Sequence, residues 1–158
     1  MRGKQAIKRD IIPDPKFQNA EIAKFINYVM RRGKKSTAQR IVYEALDLIG
    51  EKTQKNPIEV FETAIKNVAP TLEVKGRRIG GANYQIPIQV KTERRFLLAC
   101  RWIIDSSRER KGKPMQEKLA QELMDAAKKE GQVVVYLAAM KRYRQISRRS
   151  FPRSKSSR

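Results

Sequence analysis

The chain has 158 residues, about one domain's worth, and its 36 Lys and Arg against 16 Asp and Glu give a net charge of +20 and a pI near 10.5. An imbalance of that size repels itself unless a polyanion relieves it, which points to nucleic acid, and 40% hydrophobic residues still suffice for a folded core. The absence of histidine excludes Ser-His and Cys-His nucleophile pairs, His general bases and His-ligated zinc, and a lone cysteine, Cys100, excludes an internal disulfide or a thiolate zinc site.

Residues 1–12 form a basic arm, with Arg2, Lys4, Lys8 and Arg9 and no acid before Asp10. Pro13-Asp14-Pro15 then makes a turn that cannot lie inside a helix. From Asn19, a candidate N-cap, Ile22, Phe25, Ile26, Val29 and Met30 recur at helical spacing up to a stop at Gly33. A second helix is predicted from Ser36 to Gly50, burying Ile41, Val42, Ala45, Leu46 and Ile49. A third opens on Asn56-Pro57-Ile58-Glu59, with Asn at the N-cap, Pro at the first helical position and an acid two residues on, and ends before Pro70. Its stripe is Phe61, Ala64, Ile65 and Val68.

At residues 72–90 the period falls to two, with Leu72 and Val74 outward and Ile86, Ile88 and Val90 returning, so a β-hairpin is predicted. Pro87 restricts its strand to an edge, which an isolated two-stranded ribbon supplies. Helical spacing returns at Phe96, Ala99, Cys100 and Ile103, stopping by Gly112. It recurs at Met115, Leu119, Ala120, Leu123 and Ala127, stopping at Gly131. Residues 133–137 (Val-Val-Val-Tyr-Leu) are ambiguous between strand and helix, and residues 147–158 form a Ser, Arg and Lys tail in which no acid offsets the charge. The domain proper is therefore placed at 13–146. Cys100, inside an apolar run, reads as a buried thiol in a reducing compartment. The longest apolar run, 133–140, is too short for a membrane span, and MRGKQAIKRD lacks a signal peptide's apolar stretch, so a soluble, non-secreted chain is expected.

The hairpin is the most informative segment for chemistry. From Val74 to Lys91 it has no acid, while Lys75, Arg77, Arg78 and Lys91 supply charge and Gly76, Gly80 and Gly81 permit close backbone approach to a phosphate. A solvated turn usually mixes signs, which disfavours incidental charge. On the following helix Arg94, Arg101 and Arg108 repeat at heptad spacing and could line a phosphate track, or could pair with Asp105 and Glu109. Trp102, between Cys100 and Ile103, reads as core. Gly33-Lys34-Lys35-Ser36-Thr37 resembles the end of a nucleotide-binding loop, but Tyr28 stands where the first glycine belongs and Lys35 interrupts the motif. Lys34 and Lys35 instead suit a phosphate clamp at helix amides. The glycines of GRRIGG fail the dinucleotide spacing. Glu44, Asp47, Glu51, Glu59 and Glu62 fall in the second and third helices, so charge is segregated toward one docking face.

Taken together, Pro13-Asp14-Pro15-Lys16-Phe17, Gly33-Lys34-Lys35-Ser36-Thr37-Ala38, the hairpin VKGRRIGGANYQIP, Arg101-Trp102 and Gly112-Lys113-Pro114-Met115 resemble the universal small-subunit ribosomal protein number seven family, of bacterial or organellar type. The resemblance implies an α-helical fold carrying a β-ribbon, which binds 16S-type ribosomal RNA and nucleates assembly of the small-subunit head. It implies a ribbon at the subunit interface near exit-site transfer RNA and messenger RNA, with small-subunit proteins nine and eleven as neighbours. The compartment would be a cytoplasmic ribosome, or a plastid or mitochondrial one. Mapped by motif, the family's RNA-facing positions fall at Lys34, Lys35, Lys75, Arg77, Arg78, Arg95 and Lys113, with Lys8 and Arg9 of the arm. Residue chemistry alone adds Arg2, Lys4, Gly80, Gly81, Arg94, Arg101 and Arg108. After Gly131 the chain departs from the family, whose members usually carry a His-Arg-Met-Ala-Glu motif there; VVVYLAAMKRYRQISRRSF has no histidine.

The expected fold is mainly α, a bundle of about five or six helices with one protruding β-hairpin. The expected role is a non-enzymatic RNA scaffold without a cofactor or a metal site. An architectural DNA-binding protein with a basic ribbon arm is the alternative, but it would want an apolar wedge or a proline near the tip, and Pro87 lies back on the strand. An RNA-processing enzyme is disfavoured, since the basic region has neither histidine nor clustered carboxylates.

Overall fold

The computed structural model describes residues 10–79 and 82–130, together with Gly3. In chain order its elements are α1 (Ala20–Val29), α2 (Lys35–Thr53), α3 (Pro57–Val68), β1 (Leu72–Ile79), β2 (Ala82–Gln89), α4 (Thr92–Glu109) and α5 (Met115–Ala127). Five helices and one antiparallel hairpin among the described residues give the mainly α architecture that periodicity predicts. The ambiguous 133–137 segment and the 147–158 tail lie outside the described residues.

Local chemistry explains the helix starts. Asn19 caps α1 by accepting from the Glu21 N–H at 2.7 Å, and Asn56 caps α3 by accepting from the Ile58 N–H at 3.1 Å. Three ends differ from the sequence expectation. α1 stops at Val29 instead of reaching Gly33, because Met30 turns extended and both Arg32 and Gly33 take positive φ (52° and 74°) to reverse the chain into α2. Met30 is accordingly a cap residue and only partly buried. Gly50 does not end α2, which starts at Lys35 and runs to Thr53. A helical glycine costs only about 1 kcal/mol, and the stop comes where Gln54 turns left-handed at φ 52° and returns its N–H to the Gly50 carbonyl. α5 ends at Ala127, ahead of Gly131, where the side-chain amide of Asn67 donates to the Ala126 and Ala127 carbonyls at 3.1 and 2.9 Å.

α5 sits centrally, packed on α2, α3 and α4, while α1 covers α2 and α4. The core is continuous through Ile22, Phe25, Ile26, Val42, Leu46, Ile49, Phe61, Val68, Ile103, Leu119 and Leu123, all essentially without solvent exposure. Phe25 and Phe61 meet edge to face with ring centroids 5.2 Å apart, tying α1 to α3. Cys100 is fully buried there, and burial, assisted by the charge of Glu21, pushes its thiol up to about 12. Trp102 packs partly buried against the same core.

The hairpin is paired from Leu72↔Gln89 to Ile79↔Ala82. The two strands pair only with each other, so Pro87, opposite Val74, lies on an edge strand, where a missing N–H is tolerated. The turn at Pro13-Asp14-Pro15 is anchored, not merely tolerated. Asp14 is buried, accepts from the Lys16 and Phe17 N–H groups at 3.2 and 3.3 Å, and takes the Tyr43 hydroxyl at 2.6 Å. Burial and that hydrogen bond push the Tyr43 hydroxyl up to about 12. Lys16 closes the cluster with an ion pair to Asp47 at 2.9 Å. The point where residues 1–12 leave the domain is thereby fixed on α2.

Candidate nucleic-acid interface

α4 is the axis of the basic surface. Arg94, Arg101 and Arg108 recur every seven residues, so they drift only about 20° per step and span roughly 21 Å along the helix. At the first of them, Arg94 Nε bonds Glu73 Oε2 at 2.6 Å, bracing β1 against α4. Arg101 is exposed beside Tyr28, whose hydroxyl burial raises while the Arg101 charge opposes. Arg108 is half-buried and pairs with Asp105 at 3.3 Å. Burial first, and then the like charge of Arg31, lower the Arg108 guanidinium from its usual value, with Asp105 opposing. Arg31 therefore stands beside the C-terminal end of α4, which brings the 31–34 loop to the same end of the domain as the 110–114 loop.

Both loops turn through a left-handed glycine, Gly33 at φ 74° and Gly112 at φ 82°. Each also feeds a helix that no side chain caps: α2 after Lys34, and α5 after Lys113-Pro114. Free amides and ammonium groups coincide there, as an anion site requires. At α1 and α3 an asparagine side chain occupies one of these amides, and α4, after Lys91, has no side-chain cap either.

Among the described residues, Lys34, Lys35, Lys75, Arg77, Arg78, Arg101 and Lys113 are exposed and form no ion pair. Of the three α4 arginines expected to line a phosphate track, only Arg101 is exposed without an ion pair. Arg94 is engaged by Glu73, a partner the sequence did not suggest, and Arg108 by the anticipated Asp105. Arg95 is half-buried at the ribbon's base, beside Thr71, Leu72, Gln89 and Val90, and its Nε is buried without a hydrogen-bond partner. Arg2, Lys4, Lys8 and Arg9, with Gly80 and Gly81 of the hairpin, lie outside the described residues. Along α2 and α3, cations and acids pair: Arg40 with Glu44 at 3.9 Å and Lys66 with Glu62 at 3.6 Å.

Two arginines escaped the sequence reading. Arg31 was legible in principle, since Arg31-Arg32-Gly33-Lys34-Lys35 is one basic run. Arg110 was not, for its partners Glu122 and Asp125 come 12 and 15 residues later.

The family described as ribosomal protein S7p/S5e matches residues 1–148. The chain belongs to the ribosomal protein S7p/S5e family. It is 61% identical over 120 residues to small ribosomal subunit protein uS7 of Pelotomaculum thermopropionicum, covering 76% of this chain and 77% of that protein. It is 53% identical over 133 residues to the uS7 of Marinobacter nauticus, covering 84% and 85% of the two chains. With the uS7 of Desulfitobacterium hafniense it shares 58% identity over 124 residues, 78% and 80% of the respective lengths. The S7p/S5e family is structural, not enzymatic. Its match extends past Gly131 to residue 148, so the segment set apart as divergent still falls within the family's span.

Proposed function

We propose that the protein is a structural component of the small ribosomal subunit, which binds 16S-type ribosomal RNA and nucleates folding of the head domain. The observation that carries this reading is the segregation of charge. Seven of the expected RNA-facing cations are exposed without ion pairs, on the ribbon, on α4, on the two loops at its end and at the first residue of α2, while the rest of α2 and α3 is neutralised by its own acids. Lys34, Lys35, Lys75, Arg77, Arg78, Arg101 and Lys113 neutralise phosphates. Arg95 contributes from the ribbon's base, where it is half-buried, and Arg94 and Arg108 contribute from within their ion pairs. Arg2, Lys4, Lys8 and Arg9 of the arm, and the backbone at Gly80 and Gly81, extend the same contact. Residues 1–12 and 147–158 act as basic extensions of the 13–146 domain.

Beyond its base, where Arg94 meets Glu73, the ribbon is paired only with itself, which suits a position at the subunit interface near exit-site transfer RNA and messenger RNA. Small-subunit proteins nine and eleven are the expected neighbours, in a cytoplasmic, bacterial-type ribosome. No helix among the described residues is long and apolar enough to cross a membrane.

Filter-binding competition tests the assignment. A transcript of the 16S-type head domain is expected to displace an equal-length DNA duplex, whereas equal or tighter binding to the duplex overturns the reading in favour of an architectural DNA-binding protein. The ribbon has its own test. Arg77→Ala with Arg78→Ala, both exposed, is expected to change stability by no more than about 0.5 kcal/mol. The same change flattens the salt dependence of RNA binding by roughly two units, one per lost phosphate contact. An early melt of the free double variant would show a packed tip and end the docking-arm assignment.

A further inference from the structure

Arg110 looks in sequence like another RNA-facing cation, in the run Arg108-Glu109-Arg110-Lys111-Gly112-Lys113. In the fold its guanidinium is turned inward. Nε donates to Glu122 Oε2 at 2.7 Å and an Nη donates to Asp125 Oδ2 at 2.6 Å. Glu122 is fully buried in α5, and its other oxygen has no hydrogen-bond partner, so Arg110 is its compensating charge. Asp125 is held on both sides, because its Oδ1 accepts from the Gln121 side chain at 3.1 Å. Arg110 is also the C-cap residue of α4, the first residue of the loop that turns at Gly112. Fixing it on α5 fixes where the loop's lysines emerge. The result is a recess of about 360 Å³ lined by Arg110, Lys111, Lys113, Lys118 and Gln121, with the uncapped N-terminus of α5 beside it.

We infer that Arg110, Glu122 and Asp125 form an internal clasp that sets Lys111, Lys113 and Lys118 as one phosphate-binding corner, with Arg110 a positioning residue that does not itself touch RNA. This rests on the RNA-binding reading above and specifies its chemistry: a single backbone phosphate, or two adjacent ones, at the end of α4. Simple electrostatics and the clasp predict opposite signs for one substitution. Asp125→Asn removes a negative charge beside the corner, so if the carboxylate acts only through its field, RNA binding tightens. If Asp125 holds Arg110, the loop loses one of its two carboxylate anchors and binding weakens.

The test uses the full chain, a transcript of the 16S-type head domain, and filter binding across a salt series. Asp125→Asn is expected to weaken binding on the order of tenfold near 0.1 M salt and to flatten the salt slope by one to two units. Lys111→Ala with Lys118→Ala leaves the clasp intact and is expected to flatten the slope by about two units. Added to that pair, Asp125→Asn should cost much less than it costs alone, because the groups it positions are gone. Tighter binding by Asp125→Asn, or strictly additive losses, would overturn the clasp. An unchanged slope in the lysine variant would overturn the corner, and does so even if Asp125→Asn fails to fold. Failure of the unaltered protein to prefer the head-domain RNA would instead strike at the functional assignment.

Discussion

Raising the salt from about 50 to 200 mM is expected to weaken binding to head-domain RNA by roughly 10³–10⁵-fold. Each phosphate neutralised by Lys or Arg releases condensed counterions, so the logarithm of affinity falls with the logarithm of salt by about 0.9 per contact on a duplex. Seven of the expected cations are exposed without ion pairs among the described residues of the basic surface, and Lys111, Lys118 and the arm add to them. That places the protein within the range of about 6–10 contacts for which such a fall is expected. Arg94 and Arg108 add less than a full contact each, and Arg110 none, since each is engaged by a carboxylate at 2.6–3.3 Å. Binding isotherms at five or six salt concentrations give the slope directly. A slope equivalent to only two or three contacts would mean that the protein recognises its RNA by base or shape contacts, and the phosphate-scaffold mechanism would fall.

Much of this surface was legible in the sequence because its determinants are local. Asn19 and Asn56 announce helix starts within three residues of themselves, and the alternation around Lys75, Arg77 and Arg78 defines the hairpin before any tertiary contact is known. The acid-free stretch from Val74 to Lys91 identified the ribbon as an unpaired basic element. What sequence could not supply was which cations are already engaged. Arg94 meets Glu73 from 21 residues away, and Arg110 meets Asp125 from 15, so only the fold decides that these two are already paired. Helix ends were misjudged for a related reason. Gly33 and Gly50 carry the same local signal, yet one sits in a left-handed turn and the other inside α2, where the buried face continues through Ile49. The convergence of the 31–34 and 110–114 loops depends on α1 lying against α4, which no local pattern encodes.

The helical core has to hold these cations together against their own repulsion, which makes it the place where a single substitution has its largest effect on stability. Phe61→Ala is expected to destabilise the free protein by about 3–5 kcal/mol, a large part of the roughly 5–15 kcal/mol typical of a whole domain. Phe61 is 1% exposed and meets the ring of Phe25 edge to face at 5.2 Å, so its removal opens a cavity between α1 and α3 that rigid helices close only in part. For a chain of this length the melting temperature should drop by roughly 10–20 °C. Because Phe61 is remote from the basic surface, saturating RNA should restore part of the loss. At a free RNA concentration near 100 times Kd, linkage returns about 2.7 kcal/mol to variant and unaltered protein alike. Thermal melts followed by circular dichroism, with and without the head-domain transcript, separate the two effects. A loss below about 1 kcal/mol would show that the ring is not packed as described. A variant stabilised by RNA much less than the unaltered protein would show that the core also shapes the binding surface, through the packing of α3 on α5.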